Sequence, residues 1–200
     1  MLFRSIYVFS SHHHHDHFNP QILNWDKVNS NINYILSSDI DLTEYKRNYA
    51  LVYENKEIKK NDIYIKCFGS TDIGVSFYVK VDGLSLFHAG DLNWWHWESD
   101  TMEDQLSMEL SFKRQVRNLA DLGNLDIAFF PTDFRLEKYY HMGAEYFINK
   151  VNPKLFVPMH YWEKTFITTE FKEKFNSNPK NIPCNIVEIK DRGQTILFSK

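Results

Sequence analysis

Short hydrophobic runs separated by polar residues fill the first half of the chain, and longer segments with helical spacing follow. The short runs are rich in β-branched and aromatic residues, which predicts strands. Asp82-Gly83 lies between two such runs and predicts a hairpin turn. The strands predicted in this half are Ile6–Phe9, Tyr34–Leu36, Ala50–Tyr53, Ile63–Phe68, Val75–Val81 and Leu84–His88.

Two segments have helical character among or directly after these strands. Pro20–Val28 predicts a short helix with Asn19 as its N-cap. The hydrophobic spacing over Thr101–Leu122 predicts the longest helix, which Gly123 would terminate. The hydrophobic positions near one face of that helix are Leu106, Phe112, Val116 and Leu119.

Strands and helices alternate in the last part of the chain. Many strands followed by this alternation predict an α/β protein whose helices cover the outer faces of sheets. The seven glycines and six prolines are scattered, and no repeat or linker interrupts the pattern, so residues 1–200 are expected to form one domain. The predicted order is strand Asp126–Phe130, helix His141–Val151, strand Leu155–Pro158, helix Thr168–Phe175 and a closing hairpin of Ile186–Ile189 with Thr195–Phe198.

Composition excludes several classes of protein. The formal charge is −3 and the basic residues are scattered, which disfavours a nucleic-acid-binding surface; Lys56, Lys59 and Lys60 are expected in a solvated turn. No apolar run is long enough to cross a bilayer and no signal-peptide pattern is present, so no membrane contact or secretion is expected. The two cysteines, Cys67 and Cys184, form no disulfide framework, which favours a cytoplasmic location.

Histidine is the exception in this ordinary composition, because five of the nine histidines lie between positions 12 and 17. Alternation after a strand points His12 and His14 to the same side, towards one ion, and a turn can bring Asp16 and His17 to a second. Imidazole and carboxylate groups are the ligands that Zn²⁺ and similar ions accept. The alternative interpretations are part of a purification tag or a solvated polar loop.

Three motifs together resemble the metallo-β-lactamase fold superfamily. The run from His12 to His17 matches His-x-His-x-Asp-His, His88-Ala89-Gly90-Asp91 matches the family's Gly-Asp motif, and Val157-Pro158-Met159-His160 matches its last histidine. The resemblance implies a four-layer αββα sandwich. Within the superfamily, the Gly-Ser-Thr-Asp and Gly-Asp-Leu-Asn-Trp-Trp stretches are most similar to the branch that includes ascorbate-phosphate lactonase-like proteins.

The resemblance also implies a site and an activity. It implies a metal-dependent hydrolase in which a metal-bound hydroxide, oriented by Asp16, attacks a small ester, lactone, amide or phosphoester. The implied cofactor is one or two Zn²⁺ ions, with Mn²⁺ or Fe as alternatives, and the implied partner is a small-molecule substrate. The implied ligands are His12 and His14 for the first ion, Asp16, His17 and His160 for the second, and Asp91 as the bridge.

The sequence departs from the family pattern in two places. Ser70 stands where the family usually has a further histidine for the first ion, so that site is expected to be weak, completed by water, or completed by Asp72. The family also usually has a pair of strands before the histidine motif, and only eleven residues precede it here. Either the sequence is an N-terminally shortened form or one sheet lacks its outer strands. The sheet edge that this would expose favours a homo-oligomer.

Further residues near the motifs are candidates for substrate contact. Trp94, Trp95 and His96 follow Asp91 and would form an apolar wall with a polar tip; the alternative is a hydrophobic plug under a loop. Asp133 and Arg135 follow a strand and would bind a polar or anionic group, unless they pair with each other. A different class of function also stays open, that of a degenerate, non-catalytic metal-binding or interaction protein of the same fold.

Overall fold

A computed structural model describes residues 5–43, 45, 49–60 and 63–199. Ten strands, three α-helices and two 3₁₀ helices follow one another in these residues. The strands are β1 Ile6–Ser10, β2 Ile32–Ser37, β3 Tyr49–Val52, β4 Glu57–Lys60, β5 Ile63–Gly69, β6 Val75–Val81, β7 Leu84–His88, β8 Ile127–Pro131, β9 Leu155–Met159 and β10 Asn185–Ile186. The α-helices are α1 Met102–Ala120, α2 Met142–Val151 and α3 Phe166–Ser177, and the 3₁₀ helices are Pro20–Lys27 and Phe134–Tyr139.

The strands form two sheets. The smaller sheet has the order β1-β2-β3 and is parallel throughout. The larger sheet has the order β10-β9-β8-β7-β6-β5-β4; its strands are antiparallel from β4 to β7 and parallel from β7 to β10. The predicted hairpin between β6 and β7 turns at Asp82 and Gly83, whose φ angles of 51° and 75° suit a tight two-residue turn.

Four hydrophobic cores lie among the described residues, and the three largest fill the spaces between the layers. The helices pack on one face of the large sheet, where Phe112, Phe130 and Phe147 are fully buried. The two sheets pack against each other through a second core that includes Val52 and Ile65. The outer face of the small sheet is covered by the first 3₁₀ helix and the loop after β2, through a core of Leu23, Ile32, Tyr34, Leu36, Ile40 and Leu42. The layers therefore follow the predicted αββα order, with a 3₁₀ helix in the thinnest outer layer.

Helix boundaries follow the local signals in the sequence. Asn19 caps the first 3₁₀ helix by accepting a hydrogen bond from the Gln21 amide. Thr101 caps α1 by accepting a hydrogen bond from the Asp104 amide. Gly123 follows α1 with a φ of 82°, the left-handed conformation that glycine adopts readily after a helix.

Some of the predictions for individual elements are wrong. Lys59 and Lys60 lie in β4, not in a solvated turn; β4 is the edge strand of the large sheet, where lysines are common because they discourage further pairing. Leu106 in α1 is exposed to solvent and does not share the buried face.

The predicted closing hairpin does not form. Ile186 belongs to β10, which pairs in parallel with β9, and residues 187–199 contain no strand. Some main-chain groups in this segment bond to other main-chain groups, as the Val187 amide does to the Phe156 carbonyl, and others bond to side chains. Ile189 donates its amide to Thr168 Oγ1, and Gln194 accepts from the Lys190 amide and donates to the Glu188 carbonyl.

Strand β1 is an edge of the small sheet, since it pairs with β2 and no other described strand pairs with it. Its side chains Tyr7 and Phe9 pack against the core between the sheets. No described helix is both long enough and apolar enough to span a membrane.

Candidate metal centre

The candidate ligands come from the ends of strands that meet at one edge of the two sheets. The histidine run begins directly after β1, and the segment containing Asp91 follows β7. Strands β7, β8 and β9 are parallel neighbours, so Asp91, Asp133 and His160 all follow their carboxyl ends at the same edge. This is where α/β folds commonly place functional groups, because the loops there converge on a rigid sheet.

Asp91 lies at the centre of the site. Its side chain is buried, and three imidazole nitrogens surround its carboxylate. His17 Nε2 lies 3.2 Å from Oδ1, His160 Nε2 lies 3.4 Å from Oδ1, and His12 Nε2 lies 3.5 Å from Oδ2. The structure therefore brings together residues that are far apart in the sequence.

Two of these three distances, those from His160 and His12, are longer than a usual hydrogen bond and fit two ligands of one metal ion. Hydrogen bonds from nitrogen to oxygen usually span about 2.7–3.2 Å. Two tetrahedral ligand atoms, each about 2.0–2.1 Å from Zn²⁺, lie about 3.4 Å apart. His12 Nε2 and Asp91 Oδ1 are buried and have no hydrogen-bond partner among the described residues. A cation between these atoms would satisfy both, so the donor set fits a divalent metal ion.

His160 gives the same indication through its other ring nitrogen. Its Nδ1 lies 2.9 Å from Oδ2 of Asp133, a fully buried carboxylate that can only accept. A neutral His160 that donates through Nδ1 presents a lone pair at Nε2, towards Asp91. The carboxylate thus sets the ring in the tautomer that a metal ion requires.

A second group of potential ligands also includes Asp91. Ligand atoms of His14, Asp72 and Asp91 lie within 4.8 Å of one another, as do those of His12, His17 and Asp91. Asp91 is thus shared by the two groups, as the resemblance implies for a bridging carboxylate. The Ser70 hydroxyl accepts a hydrogen bond from the Asp72 amide, and it is Asp72 that lies beside His14. Asp16 is more peripheral, with Oδ2 3.8 Å from His17 Nε2.

The histidine loop is held by residues that the sequence analysis did not single out. Ser11 Oγ lies 3.1 Å from His12 Nδ1 and 3.2 Å from His17 Nδ1, so one hydroxyl orients two rings. Asp39 accepts from both the amide and the Nδ1 of His13 at 2.8 Å. Both contacts depend on the folded chain, and a serine or an aspartate in a polar loop carries no distinguishing signal in one sequence.

At neutral pH, electrostatics favour a neutral His12, an ionised Asp133 and a positively charged His160. Burial and the charge of His17 lower the pKa of His12, which keeps its ring neutral. Burial acts to raise the pKa of Asp133, but its hydrogen bonds with His160 and Arg135 lower it to about 2. Burial acts to lower the pKa of His160, but its interactions with Asp133 and Asp91 raise it to about 9. The two carboxylates therefore stabilise a proton at His160 Nε2, and a metal ion that binds there would displace that proton.

A cleft of about 400 Å³ opens over these residues. Trp95 lies in its wall, donates Nε1 to the Asp91 carbonyl at 2.9 Å, and contacts the His160 ring edge to face at 5.5 Å. Its ring stacks on Trp97 at 6.1 Å with an interplanar angle of 4°. The residues that line the cleft are His14, Asp16, Thr71, Asp72, Asp91, Trp95, Trp97, Met108, Arg135, His160 and Trp162.

Three of the candidate substrate contacts lie outside this wall. Trp94 packs in the helix-side core against Phe112, as a hydrophobic plug would. His96 packs against Tyr139 with ring centroids 4.4 Å apart. Asp133 is fully buried and pairs with Arg135, the alternative considered for these two residues. Trp95 and Arg135 are the candidates from that group that face the cleft.

No family model matches the sequence, and no curated protein matches it. Solved structures do match the fold. Igni18, a novel metallo hydrolase from the hyperthermophilic archaeon Ignicoccus hospitalis, has a TM-score of 0.61 at 19% identity, over 88% of this chain and 73% of its own. YhfI from Bacillus subtilis, a metallo-beta-lactamase fold protein, has a TM-score of 0.57 at 12% identity, over 84% of this chain and 70% of its own. The chain has the metallo-β-lactamase fold.

The metallo-β-lactamase fold was the fold predicted from the three motifs, and that prediction is confirmed. CmlA, a diiron beta-hydroxylase from Streptomyces venezuelae, is also similar, with a TM-score of 0.58 at 10% identity; the match covers 86% of this chain but 43% of CmlA. Proteins named for different chemistry thus share the fold, so the reaction must be argued from the site. The narrower resemblance to ascorbate-phosphate lactonase-like proteins is not tested by these neighbours and stays a prediction.

Proposed function

We propose that this protein is a metal-dependent hydrolase that acts on a small ester, lactone, amide or phosphoester. The proposal depends on one observation: Asp91 lies 3.2–3.5 Å from each of three imidazole nitrogens, and each distance is typical of a pair of ligands that share an ion. We propose one or two Zn²⁺ ions as the cofactor, with Mn²⁺ or Fe as alternatives, because imidazole and carboxylate donors accept all three metals.

The ligands divide around Asp91. His12 and His17 would bind one ion together with Asp91, and His14 with Asp72 would bind a second that Asp91 shares. This grouping differs from the one that the resemblance implies, in which His12 and His14 share an ion. His160 Nε2, 3.4 Å from Asp91 Oδ1, would complete the first group when an ion is bound. A bound divalent ion supplies a water acidified towards neutral pH and a positive charge for the oxygen that becomes negative in the transition state. Asp133 keeps His160 in the tautomer that can bind the ion.

The remaining residues of the chain would orient the reactants. Asp16 lines the cleft with a partly exposed carboxylate, so it can accept a hydrogen bond from the attacking water. Water adds to the carbonyl carbon or the phosphorus, the bond to the leaving group breaks, and the leaving group takes up a proton. Trp95 and Trp97 form an apolar wall beside this position, which limits the access of bulk water.

Metal analysis of the purified chain tests the first part of this proposal. We expect at least about one equivalent of Zn, Mn or Fe per chain after purification without chelators. A metal content well below that would contradict a metal-dependent hydrolase. Given bound metal, a panel of esters, lactones and bis-phosphoesters tests hydrolysis directly.

Two substitutions test the assignment of the site. Asp91→Ala and Asp16→Ala are each expected to abolish any hydrolysis found in that panel, and Asp91→Ala is also expected to reduce the metal content. Asp121→Ala, at an exposed position at the end of α1, is the matched control and is expected to keep both. Full activity in the Asp91 or the Asp16 variant would overturn the assignment.

A second candidate is a metal-binding protein of the same fold without hydrolytic activity. The observation that favours it is Ser70, which stands in place of the usual histidine and bonds to its own loop. Bound metal with no turnover across the whole panel would favour this candidate.

A further inference from the structure

Arg135 lies in the wall of the cleft between two indole rings. Its guanidinium carbon lies 5.1 Å from the ring centre of Trp162 and 5.9 Å from that of Trp97. Both distances are within the range of cation–π attraction, which orients a guanidinium without using its N–H groups. The two rings therefore position Arg135 and leave its hydrogen-bonding capacity for other partners.

The edge of that guanidinium formed by Nε and Nη2 is already hydrogen-bonded to Asp133. Nε donates to both carboxylate oxygens of Asp133 at 3.0 Å, and Nη2 donates to Oδ2 at 2.5 Å. No described residue accepts a hydrogen bond from Nη1. Asp133 is fully buried whereas the Arg135 side chain is 42% exposed, so the free end of the fork faces the cleft and solvent.

The loop that carries Trp162 is held in an unfavourable backbone conformation. His160 and Trp162 have φ angles of 62° and 54°, the left-handed region that non-glycine residues rarely adopt. Residues held in this region are strained, and such strain is typical of functional sites. This conformation places an indole ring that is 51% exposed over Arg135, rather than in the core.

Arg135 brings a positive charge to a cleft that three carboxylates also line. The carboxylates that line the cleft are those of Asp16, Asp72 and Asp91, and Arg135 is the one Lys or Arg among the described lining residues. A negatively charged group would be repelled by these carboxylates and attracted by the guanidinium. The stacked rings of Trp95 and Trp97 offer a flat apolar surface next to it.

We propose that Arg135, Trp97 and Trp162 form a binding subsite for a carboxylate or phosphate group attached to a planar, apolar body. The anionic group accepts hydrogen bonds from the free end of the guanidinium, and the planar body packs against the indole rings. What the subsite implies about the substrate rests on the proposed function. The substrate would have the bond that is cut near Asp91 and, at its other end, the anionic group that Arg135 binds. Binding by the subsite itself requires no catalysis.

Calorimetric titration of the full chain with three small probes tests the subsite. Benzoate and phenyl phosphate carry the two anionic groups on a planar ring, and benzamide is the neutral analogue. We expect at least one of the anions to bind about tenfold more tightly than benzamide. The preferred anion distinguishes a carboxylate from a phosphate substrate.

Substitutions test which residue causes the tighter binding of the anion. Arg135→Gln is expected to remove the difference between anion and benzamide, and Arg135→Lys to keep part of it because the charge remains. Arg114→Gln, at an exposed position on α1, is the matched control and is expected to bind like the original chain. Trp162→Leu is expected to weaken all three probes.

The titrations are run on chelator-treated and on Zn²⁺-loaded protein, because an anion can also bind a metal ion directly. A preference for the anion that survives in Arg135→Gln would overturn the subsite, and if it appears only in the Zn²⁺-loaded protein it would assign the anion to the metal. Equal binding of all three probes to the original chain would also overturn the subsite. An anion preference lost in Arg135→Gln supports the subsite even if no substrate in the hydrolysis panel turns over. The failure of the proposed function is thus distinguishable from the failure of this inference.

Discussion

His160 and Asp133 are joined by a hydrogen bond of 2.9 Å between Nδ1 and Oδ2, although they lie 27 residues apart in the chain. The carboxylate is fully buried and also accepts from the backbone amide and the guanidinium of Arg135. One buried group therefore connects the candidate metal centre to the wall of the cleft. The effect of Asp133 on metal binding can be measured separately from its effect on Arg135.

Asp133→Asn is expected to weaken metal binding about 10- to 100-fold, because the amide no longer favours the tautomer of His160 that presents a lone pair to the ion. Competition with a chromogenic chelator measures the affinity for Zn²⁺. Asp121→Asn on the exposed end of α1 is the control and should leave the affinity unchanged. An unchanged affinity in Asp133→Asn would show that the hydrogen bond does not position a ligand.

Asp72 is expected to complete the binding of a second ion in place of the missing histidine. Its carboxylate lies within 4.8 Å of ligand atoms of His14 and Asp91, whereas the Ser70 hydroxyl bonds to the Asp72 amide. Asp72→Ala is therefore expected to reduce the bound metal from about two equivalents to about one, with Ser70→Ala close to the original chain. Elemental analysis of both variants checks this, and equal stoichiometry in the two contradicts the assignment.

Gly74 is expected to be essential for the position of the histidine loop. Its φ is 78°, and a Cβ at this position would lie 2.0 Å from the Ser11 carbonyl oxygen. Gly123 has a similar φ of 82° but open space around it. Both Ala variants incur the left-handed penalty of about 1–2 kcal/mol, and Gly74→Ala adds a clash with backbone.

Urea denaturation of both variants measures the difference in the free energy of unfolding. Gly74→Ala is expected to lose at least about 3 kcal/mol, more than Gly123→Ala. It is also expected to bind metal more weakly, since Ser11 orients His12 and His17. Similar losses in the two variants would mean that the loop can move aside without cost.

Acid stability should depend on Asp126, a buried carboxylate outside the candidate site. It accepts from the amide and hydroxyl of Ser85 at 2.9 and 3.0 Å and from Lys154 Nζ at 2.8 Å. Burial acts to raise the pKa of Asp126, but the hydrogen bonds from Lys154 and Ser85 outweigh it and lower that pKa to about 2. The folded pKa is thus below the unfolded value of about 3.9, so the carboxylate stabilises the fold by roughly 2 kcal/mol above pH ~4.

That contribution is lost as the pH falls from about 4 to about 2. Asp126→Asn is expected to be less stable than the original chain at pH 7, and the difference in the free energy of unfolding should shrink across this interval. Denaturation with urea at several pH values measures it, with Asp121→Asn as the exposed control. A difference that is constant with pH would show that folding does not lower the pKa of Asp126.

Most elements could be predicted from the sequence because their signals are local. The hairpin at Asp82-Gly83, the cap at Asn19 and the stop at Gly123 each depend on the conformation of one to four residues. The same local reasoning failed at Lys59 and Lys60, because an edge strand of charged residues forms only when a neighbouring strand is there to pair with it.

By itself the sequence determined which groups could bind a metal, since imidazole and carboxylate side chains occur in three motifs with the order typical of the fold. Only the tertiary structure decided how they meet. It placed Asp91 among three histidines, His160 on Asp133, and Asp72 rather than Ser70 beside His14. The physical reason is that periodicity describes contacts within one strand or helix, whereas these contacts join loops at the ends of different strands and depend on how the two sheets pack.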